Sequence, residues 1–418
     1  MNIETQTNKK TIRRYDHDWL KVLAILLIFI YHAAAPFHPW FDWHIRSSQK
    51  SEFLGWISAA GYSWPLPLFM LLAGAGTWFA LQKRSYRQYV GERFTRILLP
   101  LIVGMLILIP PQVYMERVQR HQFVGSFLEY LPHAFEGGPY PQGNISAGQF
   151  WFLFYLVFYA LLALPLFAFL RSKTGKRWLS KLAHFCRHRG AILLFAVPLI
   201  LGQIALGWRY PETHNPINDW MFHWQLFLIF IFGFILYSDE RFEKAINRNW
   251  VLILVLAIVS SVGIVALFFA GPRGVQEAVM GQGRAFRLMD NSLKAYYVLG
   301  STLLRLNTWT FVLLLLWLAR RFLSVKNRAL GYAGPAAYPV FMLHQTIIII
   351  VAFYVLQQWR VGILPRFLAI LSISLVITLI IYELTRRWNV TRYVIGAKPL
   401  AKPTHDPHPP VEKGRHAT

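Results

Sequence analysis

The 418-residue chain holds one cysteine, and its acidic residues are few: 19 Asp and Glu stand against 43 Lys and Arg, and the four types together make up only 15% of the sequence. A lone Cys186 excludes an intramolecular disulfide. Between the apolar runs, no hydrophilic stretch is long enough to build a soluble domain with its own core. The sequence also lacks a nucleic-acid-binding motif, an internal inverted repeat and paired glycine-interrupted apolar segments; the last two are the usual pointers to a transporter site. What it has is apolar surface. Hydrophobic residues reach 55%, aromatic residues 16% and mean hydropathy +0.38. Runs of about 18 or more mostly apolar residues recur, each long enough to cross a hydrocarbon layer of roughly 30 Å. This predicts an all-α fold, a polytopic membrane helical bundle.

Ten spans are predicted, over 19–36, 60–82, 97–114, 149–170, 190–208, 220–237, 250–270, 293–318, 335–356 and 363–385. The first follows basic residues and precedes Ala33, Ala34 and Ala35, as a cleaved signal peptide would. Its apolar stretch is longer than the usual core of about 7–15 residues, so it is read as a retained helix. An even number of spans puts both termini on one side. The loops of that side carry 30 of the 43 basic residues and the opposite loops 11, with Lys21 and Arg305 inside spans. The bias makes both termini cytoplasmic. The predicted organisation is a cytoplasmic segment 1–18, a transmembrane domain 19–385 and a basic cytoplasmic tail 386–418, without fixed structure after about 399. The net charge of +24 is spread among loops, so attraction to anionic lipids accounts for it and no nucleic-acid partner is needed. His405, His408 and His416 in the tail are too loosely spaced to argue for a metal.

Two constellations carry chemistry. Lys21 and His32 are eleven residues apart in the first apolar run, which on a helix is about three turns, one face and roughly 16 Å. Ionisable groups in a membrane-length helix are costly unless they face a polar interior. The plainer reading is that Lys21 snorkels to the interface and His32 bonds to a neighbouring helix. Arg93 and Arg96, three residues apart at the mouth of the third span, could together grip a phosphorylated molecule, since guanidinium groups fork onto phosphate. The plainer reading there is an ordinary basic helix flank.

These residues belong to an ordered series. Asp18-x-x-Lys21 followed by ten residues and His32 resembles the first-helix motif of the acyltransferase family 3 membrane proteins. Pro67 to Gly74 looks like that family's second helix, Arg93-x-x-Arg96 with Pro100 resembles its Arg-x-x-Arg segment, Gln149 to Leu153 resembles its Trp-Phe-Leu helix start, and Ala337 to His344 is similar to its penultimate helix. The ending Tyr382-Glu383, running on to Gly396 and Pro399, looks most like the glucan biosynthesis protein C branch, associated with succinylation of periplasmic glucans. Ala73 and Ala337 stand where the family often has Ser. Some members carry an extra hydrolase-like domain; this chain ends too soon after its spans to hold one, which implies that it delivers the acyl group itself or passes it to another protein.

The resemblance implies a membrane O-acyltransferase of the bacterial inner membrane. It would move an acetyl or succinyl group from cytoplasmic acyl-CoA, a co-substrate, to a hydroxyl of an extracytoplasmic glycan or other acceptor, with no permanently bound cofactor. His32 is then the general base, and Lys21, Arg93 and Arg96 bind the donor. Asp18, Trp151, Tyr338, His344 and Glu383 are candidates for lining the site. His344 sits mid-span and either lines the site or bonds to a neighbouring helix; Glu383 is either an acid or a partner of Arg386 or Arg387. The loop run His38 to His44 holds three potential metal ligands, but interfacial aromatics or sugar stacking explain it more simply, and no metal site is assigned. The alternative is a transporter of a small anion or glycan that uses the same Lys, His and Arg as binding or relay groups.

Overall fold

The computed structural model describes residues 14–62, 64–210, 212–270 and 291–397. The first thirteen residues and the tail from 398, with its expected loss of fixed structure, lie outside the described residues. In chain order the helices are α1 Tyr15–Ala34, α2 Glu52–Tyr62, α3 Pro65–Leu81, α4 Tyr86–Arg93, α5 Leu99–Gln119, α6 Phe127–Tyr130, α7 Trp151–Leu162, α8 Leu164–Arg171, α9 Lys173–Phe185, α10 Ala196–Leu206, α11 Trp220–Leu236, α12 Glu240–Arg248, α13 Trp250–Ala270, α14 Asn291–Phe322, α15 Arg328–Gln358, α16 Ile363–Thr385 and α17 Asn389–Val394. Among the described residues no strand forms, and a single β-bridge pairs Pro139 with Ile145.

Each of the ten predicted segments coincides with helix, and by length and apolarity alone six to eight of them qualify as candidate spans. Six helices qualify outright: Tyr15–Phe37, Tyr86–Gln119, Trp250–Phe269, Leu293–Phe322, Arg328–Gln358 and Ile363–Thr385. Two bent pairs, α7 with α8 and α11 with α12, raise the number to eight. Pro65–Leu81 and Ala191–Leu206 fall short. Proline explains two of the differences. Pro65 opens α3 and separates it from α2, so the predicted 60–82 span is interrupted. Pro165, at the second position of α8, has no N–H to continue α7, and the pair bends by 45°.

The segment with Arg93 and Arg96 departs from α-helix as well. Phe94–Leu98 is a π-helical turn joining α4 to α5. In α register the ring of Pro100 would collide with the carbonyl of Arg96, and the wider turn relieves this.

α15 runs through the middle of the bundle, against α1, α5 and α16, and 83% of its apolar window is buried, against 17% for α13 at the periphery. A second row packs α13 on α14, α14 on α10, α10 on α11 and α11 on α3. The α3–α11 contact is a backbone contact. A Cβ on Gly74 would lie 1.9 Å from the Phe230 carbonyl oxygen, and one on Gly233 would lie 2.0 Å from that of Leu71. Small residues at such crossings let helices pack by close van der Waals contact where lipid provides no hydrophobic driving force.

The two ends of the bundle are easily told apart. At the termini end, Arg14 before α1 and Arg320 late in α14 both pair with Glu243 of α12, at 3.2 and 2.8 Å. The buried Cys186, just past α9, lies in a connection of this end. Among the described residues the opposite end, the loop end, is built from 35–51, 120–150, 207–210 and 212–219.

Candidate active site

α1 begins with Asp16 and Asp18 in its first turn, where carboxylates complement the helix dipole, and its α-helical run stops before Pro36 with His32 in the last turn. His32 is therefore delivered to the loop end, half-buried. There it meets His344 of α15: His344 Nε2 and His32 Nδ1 are 3.2 Å apart. The partners fix the tautomers. His344 Nδ1 is 2.6 Å from the Phe341 carbonyl, which can only accept, so Nδ1 carries the proton and Nε2 of the neutral ring accepts. His32 Nδ1 donates to the Ile28 carbonyl at 3.0 Å and shares that proton with His344. The Nε2 lone pair of His32 is left over, with no hydrogen-bond partner among the described residues.

A network of uncharged side chains holds the two rings in register. Gln112 of α5 donates through Nε2 to Gln149 Oε1 at 3.0 Å and to Thr346 Oγ1 at 2.7 Å, while Gln345 donates to Gln112 Oε1 at 3.1 Å. Gln149 also donates to the Met342 carbonyl at 2.9 Å. α5, α15 and the entry to α7 are thus joined within two residues of His344. Buried polar groups in lipid surroundings hold only when they are paired in this way.

One turn beyond Gln112, Glu116 is 0% exposed and collects three partners: His44, Arg120 at 3.1 Å, and the Tyr140 hydroxyl, which donates to both carboxylate oxygens at 3.0 Å. Burial, and then the Glu116 carboxylate, pushes the Tyr140 phenol up. Arg120 also donates to the Trp43 carbonyl at 3.2 Å, and Gln119 exchanges two backbone bonds with Arg46 at 2.8 and 3.1 Å. The end of α5 is a clamp on residues 43–46, and the clamped Trp43 ring lies 5.9 Å from the His32 ring. At the same end, Trp151 stacks on His214 at 4.2 Å, and His214 pairs with Glu212 at 2.6 Å. Buried Asp219 accepts from the Tyr155 hydroxyl at 2.8 Å and from the His214 backbone at 3.1 Å. Burial and the neighbouring Glu212 push the Asp219 carboxyl up to about 6. Burial disfavours a charged His214, yet the Glu212 carboxylate holds it above its ordinary value.

Of the candidate residues, then, the structure brings together His32 and His344, with Trp151 at the same end. The others lie towards the termini end. Lys21, 45% exposed, pairs with Asp18 at 3.6 Å. Arg93 lies over the Tyr89 ring at 4.4 Å, its buried Nε without a partner, and neither Arg93 nor Arg96 meets a carboxylate among the described residues. The buried Tyr338 hydroxyl also has no partner, and its ring fills the space where a Cβ on Gly396 would stand. Glu383 pairs with Arg386 at 3.0 Å, whose guanidinium sits over Tyr332 and Tyr382. His38, Asp42 and His44 do not converge: His38 accepts from the Trp40 and Phe41 backbones, Asp42 pairs with Arg46, and His44 with Glu116. Sequence reasoning missed Glu116, Tyr140 and Asp219, and had Trp43 only as one of the interfacial or sugar-stacking aromatics of the 38–44 run. Glu116 had a signal, as an acidic residue one turn past the apolar run of the third span, but the predicted span stopped at 114.

Residues 14–383 match the family model Acyl_transf_3, described as an acyltransferase domain. No curated protein and no solved structure matches the chain.

Proposed function

The chain belongs to this family of membrane acyltransferases, and on that premise we propose that it is an O-acyltransferase carrying an acyl group from acyl-CoA at the termini end to a hydroxyl at the loop end. The observation that carries the reading is the free Nε2 of His32. An acceptor hydroxyl donating to that lone pair loses its proton to Nε2 as its oxygen attacks the thioester carbonyl carbon. The C–S bond breaks, an ester forms, and the leaving thiolate takes up a proton. His344, accepting through Nε2 from His32 Nδ1–H, keeps His32 in the tautomer this requires. Arg93 and Arg96, without carboxylate partners among the described residues, hold the donor's phosphates, with Lys21 nearby on the same side of the membrane; no cofactor is kept permanently.

Finer elements belong to the same proposal. The acceptor is a glycan or related surface molecule, and the acyl group is acetyl or succinyl, as in the glucan biosynthesis protein C branch. The bundle crosses the bacterial inner membrane ten times with both termini cytoplasmic, the transmembrane domain running from 19 to 385. A reporter fused after residue 399 then reads as cytoplasmic and one inserted at Gly138 as external; two readings on one side reject this arrangement. The function itself is tested by giving detergent-purified protein acyl-CoA with and without glycan and following free thiol. Acceptor-dependent release is expected, whereas a transporter releases none.

A further inference from the structure

A cavity of about 360 Å³ opens at the termini end where α3, α4 and the α8–α9 junction meet. That is within the range of small-molecule sites, roughly 300–1,000 Å³. Trp78, Gln82, Tyr86, Arg171, Ser172 and Lys176 line it, and its lining includes no carboxylate. Arg171 donates to the Tyr86 hydroxyl at 2.9 Å and lies 5.4 Å from the centre of that ring, so the guanidinium is held in place while still lacking an acidic partner among the described residues. Ser172 caps α9 through the Gly175 N–H, which adds a helix N-terminus to the two cations. Arg171, held by Tyr86, and the exposed Lys176 are two cations that suit phosphate, and Trp78 and Tyr86 suit a flat ring. The cavity also points somewhere. Tyr86, Tyr89 and Arg93 follow one another at three- and four-residue spacing along one face of α4. A ligand seated at Tyr86 therefore has Arg93, with its orphaned Nε, two turns further along.

We propose that this cavity receives the phosphorylated nucleoside end of the acyl-CoA donor, leaving Arg93 and Arg96 to hold the phosphates nearer the acyl arm; the inference rests on the donor reading above. A lipid headgroup would share the phosphate chemistry but would leave the two aromatic rings without a purpose.

The test uses the full chain in nanodiscs of neutral phosphatidylcholine and in nanodiscs with added anionic phosphatidylglycerol. Acetyl-CoA and adenosine 3′,5′-bisphosphate are titrated by calorimetry. Arg171→Ala with Lys176→Ala is expected to weaken both ligands by about tenfold or more in both lipids. Lys173→Ala with Lys181→Ala removes the same charge from outside the cavity and is expected to change neither. Arg93→Ala with Arg96→Ala is expected to weaken acetyl-CoA but to spare the bisphosphate. If wild type binds acetyl-CoA and the cavity variant binds it equally well, the inference is overturned and the donor reading stands. If wild type binds no acetyl-CoA, both fall. A difference confined to anionic nanodiscs makes the cavity a headgroup site and also overturns the inference. Lys176→Ala alone, at an exposed position, repeats the measurement with the least risk to folding.

Discussion

The Glu116 clamp at the loop end and three arginines around α4 and α8 at the termini end treat charge differently. At the loop end, carboxylates are buried and fully engaged: Glu116 holds His44, Arg120 and Tyr140, and Asp219 holds Tyr155 and two backbone N–H groups. At the termini end Arg84 pairs with Glu92 of α4 at 3.0 Å, but Arg93 of α4, with an orphaned Nε, Arg96 of the π turn and Arg171 of α8 have no carboxylate partner among the described residues. The Glu116 carboxylate is engaged on both oxygens and fixes the geometry that a general base needs around it, even though the buried Nε of Arg120 has no partner among the described residues. Unsaturated cations fix little and attract anions. On the proposed function, the contrast separates a place for chemistry from a place for binding.

The largest effect that could break this division is at His32. His32→Ala should lower transfer by about 10²–10⁴-fold, the usual contribution of a positioned general base, while donor affinity measured by calorimetry stays near wild type. His32→Gln keeps a hydrogen-bonding group but cannot take the proton, and should behave alike. A variant that keeps a tenth of the rate removes His32 from the chemistry.

At the other end, Arg93→Ala with Arg96→Ala should cost about 1.5–3 kcal/mol per lost phosphate contact in donor binding and leave the rate at saturating donor largely intact. Unchanged affinity would return both residues to anchoring a helix end.

The clamp sharpens the comparison. In Glu116→Gln the hold on residues 43–46 loosens, and transfer to the proposed acceptor should drop by about 10–100-fold, as misplacement near a reacting centre does, with hydrolysis of the donor by water affected much less. An equal fall in both reactions would mean that Glu116 serves stability alone.

The smallest effect is that of pH on the loop end. A carboxyl raised from 3.8 to about 6 contributes stability that is present at low pH and is lost as pH climbs through 6. His214, raised above 6.5, loses its contribution in the same direction. The melting temperature in detergent should therefore fall by about 2 °C between pH 5.5 and 7.5, and Asp219→Asn should flatten most of that slope. A slope that survives in the variant points to other groups.

Much of the helical layout was legible in the apolar runs. The segments 250–270 and 363–385 were placed to the residue, because Asn249 and the Trp359–Gly362 stretch interrupt the run at their starts. Pro65 and Pro165 were less visible in their effect, since proline in the first turn of a helix is also where proline is at ease. The site was half legible. Motif order marked His32 and His344, but nothing in one sequence says that residues 312 positions apart come within 3.2 Å. Glu116 was hidden by position: a carboxylate just past an apolar run looks like solvated loop, and only the packing of α5 against residues 43–46 buries it.

The solitary thiol has a practical consequence. Cys186 is buried, and burial pushes its pKa up to about 11, so at neutral pH almost none of it is the thiolate that reacts with disulfide reagents. A colorimetric reading of free coenzyme A can be taken on the unmodified protein with little background. A new cysteine at an exposed site such as Lys173 would be the one position a maleimide dye labels.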